Sequence, residues 1–137
     1  MIFSKTTEYA VRVLVFMAAK GSDFYSARYL HEKLNIPFKY LSKILTGLVN
    51  HGYLISLQGR KGGFKLVDNF EKITVAGIML AVDGSDKSKD CILGLNNCTD
   101  DNPCAMHYFW HENKESIINM MNQTTLERLT SVNIHKF

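Results

Sequence analysis

Apolar side chains follow a helical period in the first part of the chain. Between residues 4 and 20 they recur three or four positions apart, which places them on one face of an α-helix. These positions are Ala10, Val13, Leu14, Met17 and Ala18. Apolar residues on the other faces predict that this helix is buried on several sides, partly against another chain, and Gly21 is a favourable place for it to end.

The pattern then predicts two short helices joined by a tight turn. Ser26 is well placed to cap a helix over residues 27–34, and Pro37 stands at the first position of a helix that runs to about Asn50. The apolar stripe of the second helix consists of Phe38, Leu41, Ile44, Leu45, Leu48 and Val49. Its opposite face carries Lys39, Tyr40, Ser42, Lys43, Thr46 and Asn50. Two such helices are typical of a helix-turn-helix, although a generic helical hairpin has the same pattern.

A short β-hairpin is predicted directly after these helices. Residues 53–57 and 64–67 have the character of strands, and the segment between them is Gln58-Gly59-Arg60-Lys61-Gly62-Gly63. Glycine allows this tip to approach a phosphate backbone closely, while Arg60 and Lys61 supply positive charge. A helix-turn-helix followed by such a hairpin predicts a winged helix that binds DNA.

The second half of the chain predicts a helix over residues 74–82, a polar loop over 83–103 and a long helix from about Pro103 to Met121. The apolar stripe of the long helix consists of Met106, Phe109, Trp110, Ile117, Met120 and Met121. In a chain of this size such a stripe indicates packing against a second subunit. Thr124-x-x-Glu127 matches a capping box and predicts a last short helix.

These elements predict a mainly α fold with a small β-hairpin wing, in which a winged helix-turn-helix is followed by a long C-terminal dimerisation helix. We divide the chain into a DNA-binding domain over residues 1–82, a cysteine-bearing loop over 83–104, and a dimerisation helix with a C-terminal tail over 105–137.

Charge is distributed unevenly along the 137 residues. Residues 1–65 contain ten Lys or Arg and three Asp or Glu, whereas residues 66–137 contain six basic and ten acidic residues. A basic half joined to an acidic half favours a polyanion-binding unit with a separate regulatory or assembly unit. The 46% of apolar and 21% of charged residues are ordinary for a folded globular protein and exclude a disordered chain.

The sequence contains neither an apolar run long enough to span a membrane nor a secretory leader, so we expect a cytoplasmic protein without membrane contact. It also lacks the glycine-rich phosphate motifs and the nucleophile motif of hydrolases. His107 and His111 are four positions apart, but Tyr108 stands where a zinc protease needs glutamate. We therefore predict that the protein is not an enzyme.

The three cysteines of the chain lie within 14 residues, in the pattern Cys91-x6-Cys98-x5-Cys104-x2-His107. Gaps of this length are longer than those of most structural zinc sites, and a loop around a bulkier group favours an iron–sulfur cluster. Placing Cys104 and His107 at the start of the long helix puts both on one face. Redox-active thiols, a zinc site and inert cysteines remain alternatives.

The sequence resembles the small winged-helix transcription regulators that include IscR and NsrR, over nearly its whole length. The matching motifs are Ser4-Lys5-x-x-Glu8-Tyr9-Ala10, Ile36-Pro37-x-x-Tyr40-Leu41, Gly59-x-x-Gly62-Gly63-Phe64-x-Leu66, Ile73-Thr74, Ala81-Val82-Asp83-Gly84, the three cysteines and Thr124-Thr125-Leu126-x-x-Leu129. The resemblance implies a homodimer, crossed through the long helix, that binds palindromic promoter DNA as a repressor or an activator.

The resemblance also implies a cluster held by Cys91, Cys98 and Cys104, for which we favour the 2Fe–2S type over the 4Fe–4S type. IscR-like relatives resemble this chain most at Cys104-x-x-His107, which makes His107 the fourth ligand. NsrR-like relatives take a carboxylate from the first helix of the partner subunit, where this chain has Glu8. Regulators of cysteine metabolism in the same family lack the cluster.

We predict DNA contacts from Lys39, Tyr40, Ser42, Lys43, Gln58, Arg60 and Lys61. The wing departs from the family at Gln58, where relatives usually carry arginine; either Arg60 takes over that contact, or recognition by the wing is weaker. The predicted function is a regulator whose promoter affinity is controlled by an iron–sulfur cluster that senses cluster supply, redox state or nitric oxide. The alternatives are a cluster-free regulator with redox thiols or zinc, and a metal-carrying structural or redox protein.

Overall fold

The computed structural model describes residues 3–84 and 91–133. Its elements, in chain order, are α1 (Lys5–Lys20), α2 (Ala27–Leu34), α3 (Phe38–Asn50), β1 (Leu54–Leu57), β2 (Gly63–Leu66), a 3₁₀ turn (Phe70–Lys72), α4 (Val75–Asp83), α5 (His107–Gln123) and α6 (Leu126–Asn133). The fold is therefore mainly helical with a two-stranded wing, as the sequence predicts.

Parts of three sequence-based assignments lie outside the described residues. These are the two first residues, residues 85–90 of the predicted cysteine loop, and residues 134–137 of the predicted C-terminal tail. Within the described ranges, no helix has the length and the apolar character that crossing a membrane requires.

The core is built around α1, which packs against α3, α4 and α6. Ala10, Val13 and Leu14 on α1 are completely buried, as are Leu41 and Ile44 on α3. This burial follows the predicted helical spacing, because side chains three and four positions apart project from the same face. The α1 helix begins directly after Ser4, whose side chain caps it by accepting a hydrogen bond from the Thr7 N–H.

The helix-turn-helix forms as predicted, with one correction at its second helix. The Ser26 side chain caps α2, and Asn35 adopts a left-handed conformation in the turn. Pro37 is the N-cap of α3 rather than its first helical residue. Phe38, predicted to belong to the apolar stripe, is 51% exposed, because the first residue of the helix projects beyond the core and its ring lies edge-on against His31.

The wing is an antiparallel hairpin in which Leu54 pairs with Leu66 and Leu57 pairs with Gly63. Tyr25, just before α2, extends it: the backbone N–H groups of Tyr25 and Phe64 each donate to the carbonyl of the other residue, at 2.9 and 2.8 Å. A Cβ on Gly63 would lie 2.4 Å from the Tyr25 carbonyl oxygen, so this close pairing requires glycine. The pairing fixes the position of the wing beside the helix-turn-helix.

The long helix begins four residues later than predicted. Residues 103–106 lie outside the helix, and the His107 N–H donates to the Cys104 carbonyl across a turn at residues 105–106. The backbone pairing of Thr99 with Asn102 holds the preceding segment in a tight turn, which delays the start of the helix. Cys104 therefore lies before α5 and does not share a helical face with His107.

The C-terminal helix α6 returns to the N-terminal half of the molecule. Leu126 is completely buried in the core that α1, α3 and α4 form, and its N–H donates to the Ile73 carbonyl at 2.7 Å. The cap of α6 is Thr125, whose hydroxyl accepts from the Arg128 N–H, rather than the predicted Thr124. Thr124 donates its hydroxyl to Met120 at the end of α5.

Candidate functional site

The second helix of the helix-turn-helix, α3, is called the recognition helix below, and it presents a polar face to solvent. Lys39, Ser42 and Lys43 are exposed on α3, opposite the buried leucine and isoleucine side chains that hold the helix in the core. Two ammonium groups and a hydroxyl on one exposed helix face are suited to contact phosphates and base edges in a DNA groove. The structure brings these three predicted residues together on one surface.

Tyr40 occupies a different environment from its three neighbours. Its ring is half-buried and lies edge-on against Tyr9 of α1, with 5.4 Å between the ring centroids. The Lys39 Nζ lies 5.2 Å from the centre of the same ring. Tyr40 is thus a packing contact between α3 and α1 as well as a predicted DNA contact, and its ring supports the position of the Lys39 side chain.

The tip of the wing carries the other predicted contacts. Gln58, Arg60 and Lys61 are exposed. Gly59 has φ of +107°, and a Cβ on Gly62 would lie 2.0 Å from the Leu57 carbonyl oxygen, so the tight tip depends on both glycines. The backbone thus directs two cations to solvent at the end of a hairpin that the core anchors.

The three cysteine sulfurs converge in space although the loop that carries them is irregular. All three lie within 4.8 Å of one another, and the Cys91 and Cys104 Sγ atoms are 3.7 Å apart. Each cysteine is half-buried. Two left-handed residues shape the loop, Gly94 with φ of +72° and Asn97 with φ of +58°. Three adjacent thiols form a donor set that suits an iron–sulfur cluster or a soft metal ion.

His107 lies directly beside this thiol group. Its Nδ1 is 3.2 Å from the Cys98 Sγ, and its Nε2 is 2.9 Å from the Asp100 Oδ1. The His107 side chain is only 7% exposed, whereas that of Asp100 is 85% exposed. Hydrogen bonding of one ring nitrogen to a carboxylate fixes the ring orientation and leaves the other nitrogen to act as a ligand or an acceptor.

The loop shifts the pKa values of Cys91 and Cys98 in opposite directions. A hydrogen bond from the backbone N–H of Leu95 is the main cause that lowers the pKa of Cys91 to about 7. The backbone N–H of Cys104 favours the thiolate of Cys98, but burial and the neighbouring thiols outweigh it and raise the pKa of Cys98. The hydrogen bond with His107 lowers the pKa of Asp100, so this carboxylate is ionised at neutral pH.

Glu8, the other predicted ligand, lies in a different part of the molecule. It is exposed on α1, where it pairs with the Lys5 Nζ at 3.3 Å. It lines a 440 Å³ cleft whose walls include Met120 and Met121 of α5. A role as a cluster ligand of a partner subunit therefore remains a prediction.

Sequence reasoning missed two side chains near His107 and one at the end of α4. Asp100 and His111 extend the thiol group to a second set of polar side chains. Asp83, at the end of α4, accepts hydrogen bonds from the Ser4 and Thr7 hydroxyls, both at 2.7 Å. The His107-x3-His111 spacing was the only sequence feature that could have indicated the polar set. No local pattern predicts the partners of Asp83, because they lie more than 70 residues away.

Comparison with known proteins gives a consistent family assignment. Residues 3–131 match the family model Rrf2, which is described as an iron-dependent transcriptional regulator. A protein of Aquifex aeolicus, named as a candidate HTH-type transcriptional regulator, is 31% identical over 96% of this chain and 93% of its own length.

Further relatives and structural neighbours include IscR and CymR. IscR of Yersinia pseudotuberculosis is 29% identical over 74% of this chain, and the match spans 62% of IscR. The structure of CymR, the global cysteine regulator of B. subtilis, superposes with a TM-score of 0.74 at 22% identity, over 96% of this chain and 97% of CymR. IscR of T. potens superposes with a TM-score of 0.68 at 20% identity, over 96% and 87%.

The winged helix, the basic recognition face and the match over nearly the whole chain agree with one another. Regulators, rather than enzymes, make up the family and the relatives described above. The chain belongs to the Rrf2 family of winged-helix, DNA-binding transcription regulators.

Proposed function

We propose that this chain regulates transcription as a homodimer whose affinity for promoter DNA depends on an iron–sulfur cluster. The observation that carries the proposal is the convergence of three sulfurs within 4.8 Å beside the His107 Nδ1. Cys91, Cys98 and Cys104 supply the thiolates, and His107 supplies the fourth ligand. The donor set fits such a cluster, because iron–sulfur clusters are held mainly by thiolates and imidazole can take the place of a thiolate ligand.

Asp100 has the role of a supporting residue in this proposal. It accepts the Nε2–H of His107, which selects the tautomer with a free Nδ1 facing the thiols. A bound cluster would supply redox and nitric-oxide chemistry to the site. The residues of the chain provide the ligands, orient the imidazole and half-bury the sulfurs.

The loop connects the ligand set to the rest of the fold at both ends. On one side, α4 is fastened to α1 through Asp83; on the other side, His107 is the first residue of α5. The described part of the loop is held by hydrogen bonds between near neighbours, such as Gly94 N–H to the Cys91 carbonyl, the Thr99–Asn102 pairing and the bond from Asn102 to the Asn97 carbonyl. Cross-linking four side chains would order this segment and so bias the relative position of α4 and α5.

A change in that position alters DNA binding only if the two states of the protein differ in affinity for the operator. In a homodimer crossed through α5, the spacing of the two recognition helices provides this difference. Lys39, Ser42 and Lys43 would contact the major groove, with Tyr40 positioned between them. Gln58, Arg60 and Lys61 would contact the backbone or the minor groove.

The test combines spectroscopy with DNA binding. Protein reconstituted without oxygen is expected to show visible charge-transfer bands and stoichiometric iron and sulfide, and to bind a fragment of its own upstream region with an affinity that changes on cluster removal. Log affinity should fall linearly with log salt, because Lys and Arg release counterions from the phosphates. Cys98→Ser is expected to abolish the spectrum and the cluster-dependent part of binding.

The fourth ligand is tested with matched variants of the same chain. His107→Gln should shift the spectrum and accelerate cluster loss, whereas His51→Ala, which removes an exposed imidazole elsewhere, should do neither. If Glu8→Gln has the effect expected of His107→Gln, the ligand is Glu8 of the partner subunit. An unchanged spectrum in Cys98→Ser would overturn the cluster proposal while leaving the DNA-binding regulator intact.

A cluster-free thiol switch is the second candidate, and one distance favours it. The Cys91 and Cys104 sulfurs, 3.7 Å apart, need little movement to form a disulfide. Two thiols would lose two protons and two electrons to a peroxide, which is reduced to water as the S–S bond forms. This candidate predicts that peroxide changes promoter affinity in iron-free protein, that dithiothreitol reverses the change, and that Cys91→Ser removes it.

A further inference from the structure

Beside the thiol group lies a second, sulfur-free set of potential ligands. Asp100, His107 and His111 each offer one donor atom, and these three atoms lie within 4.8 Å of one another. The imidazole rings of His107 and His111 have centroids 4.5 Å apart, and the Asp100 Oδ1 is 2.9 Å from the His107 Nε2. These residues come from one helix and one loop, and the thiol proposal uses only His107 as a ligand.

We propose that Asp100, His107 and His111 form a binding site for a divalent transition-metal ion of the zinc class. Two histidines four positions apart on a helix present their rings on one face, which is a recurrent way to hold zinc. The carboxylate from the loop supplies a third donor. Imidazole nitrogens suit Zn²⁺, Co²⁺ and Ni²⁺, whereas Mg²⁺ and Ca²⁺ prefer all-oxygen sites.

The geometry needs only small adjustments to hold such an ion. In a tetrahedral site with metal–ligand bonds of about 2.0–2.2 Å, neighbouring donor atoms lie roughly 3.4 Å apart. His107 is nearly buried, while Asp100 and His111 are exposed, so solvent rather than packed side chains surrounds these two ligands. Three protein ligands leave the fourth position of a tetrahedral site for water. Because two of the ligands are exposed, the metal reaches the site from solvent without rearrangement of the fold.

Of the two charged side chains nearby, one favours a bound cation and the other opposes it. Asp100 is ionised at neutral pH and supplies the negative charge that a cation requires. Lys114 is close enough to Asp100 to contribute to that ionisation, and its ammonium group opposes a cation. Replacing Lys114 by glutamine is therefore expected to tighten metal binding.

The site shares His107 with the thiol group, since Nδ1 faces Cys98 and Nε2 faces Asp100. A cation at Nε2 displaces the N–H proton that is hydrogen-bonded to Asp100, and this proton leaves to solvent or moves to Nδ1. The proposal does not depend on the presence of a cluster, and the experiment separates the two by removing the sulfurs.

The test is a Co²⁺ titration of the full chain carrying Cys91→Ser, Cys98→Ser and Cys104→Ser. One equivalent should bind with visible ligand-field bands and without the thiolate-to-cobalt charge-transfer band, and excess Mg²⁺ should not displace it. In this background His111→Ala should weaken binding by roughly tenfold or more. The exposed His51→Ala is the matched control and should leave the affinity unchanged.

The absence of saturable Co²⁺ binding in a folded thiol-free protein would overturn the proposal, as would equal affinities of His111→Ala and His51→Ala. If the triple variant does not fold, Zn²⁺ stoichiometry is measured on the unaltered, reduced chain by competition with a chromophoric chelator. His111→Ala should then bind one equivalent fewer than His51→Ala, and equal stoichiometries would refute the site. Neither result bears on whether the thiols hold an iron–sulfur cluster.

Discussion

Asp83 shows how a single residue fastens the end of α4, where the cysteine loop begins, to the DNA-binding half. Its Oδ2 accepts hydroxyl hydrogen bonds from Ser4 and Thr7, and Thr7 is completely buried. A carboxylate in the last turn of a helix is unfavourable by about 0.3–1 kcal/mol, whereas a hydrogen bond to a charged group contributes about 1.5–3 kcal/mol. The stabilisation by the two hydrogen bonds therefore exceeds the unfavourable interaction of the carboxylate with the helix end.

We expect Asp83→Ala to lower the free energy of unfolding by about 1–3 kcal/mol, because it leaves the buried Thr7 hydroxyl without its acceptor. Asp83→Asn keeps an acceptor oxygen and should lose less. Urea denaturation followed by circular dichroism measures the effect, with the exposed Asp68→Ala as the control. Equal stabilities of Asp83→Ala and Asp68→Ala would show that the fastening contributes nothing.

Also at the residue scale, Cys91 and Cys98 are expected to differ in their reactivity towards alkylating reagents. Because the pKa of Cys91 is about 7, its thiolate fraction should rise through half near neutral pH and level off above it. The raised pKa of Cys98 keeps that thiol protonated at pH values where Cys91 is already ionised. In iron-free, reduced protein, iodoacetamide should therefore modify Cys91 before Cys98 at neutral pH, as measured by peptide mass spectrometry after quenching. Equal rates at both sites would contradict the assigned pKa order.

At the scale of elements, α3 packs closely against α4. A Cβ on Gly47 would lie 2.6 Å from the Ala81 carbonyl oxygen, which belongs to backbone and cannot move aside easily. Alanine gains about 1 kcal/mol over glycine in helix propensity, but overpacking of this kind typically costs about 1–3 kcal/mol. We therefore expect Gly47→Ala to lower the thermal midpoint.

The neighbouring Thr46→Ala, on the exposed face of the same helix, provides the control. Its hydroxyl donates only to the Ser42 carbonyl within the helix, so the midpoint should change little. A midpoint of Gly47→Ala at or above that of the unaltered chain would mean that the two helices separate without loss of packing.

At the scale of the whole molecule, α5 exposes an apolar stripe that nothing covers among the described residues of one chain. Phe109 and Met120 are 68% and 54% exposed, and their spacing places them on one side of the helix; Met106, the N-cap just before α5, is 41% exposed. Methionine and phenylalanine in such a stripe favour contact with a second copy of the chain. The homodimer of the proposed function would bury it.

Phe109→Glu is expected to raise the dimer dissociation constant by roughly tenfold or more, because a charge would be placed in the apolar contact. DNA affinity should fall with it, since one recognition helix remains per protein. Sedimentation equilibrium measures the change, and the exposed Glu115→Ala on the same helix should not alter it. A Phe109→Glu protein that is as dimeric as the control would place the subunit contact elsewhere.

The sequence by itself determined the helices and the wing, because these depend on local quantities. Periodic burial, the Ser26 cap and the glycines of the hairpin tip act within a few residues, so spacing predicts them. The prediction from sequence was wrong at the start of α5, where two local structures are possible. Pro103 is compatible with a helix start, but the Thr99–Asn102 turn delays the helix to His107. Phe38 was misplaced for a similar reason, since the phase of a helix does not reveal where the core ends.

Only the tertiary structure decided which side chains meet. The sequence placed three cysteines and His107 in one segment, but the contact of the His107 ring with the Cys98 thiol depends on how the loop folds back. Asp100 joins them for the same reason, and Asp83 meets Ser4 across 79 positions of the chain. The period of a helix or strand determines which face a residue occupies, whereas convergence of distant or irregular segments depends on the packing of the whole chain.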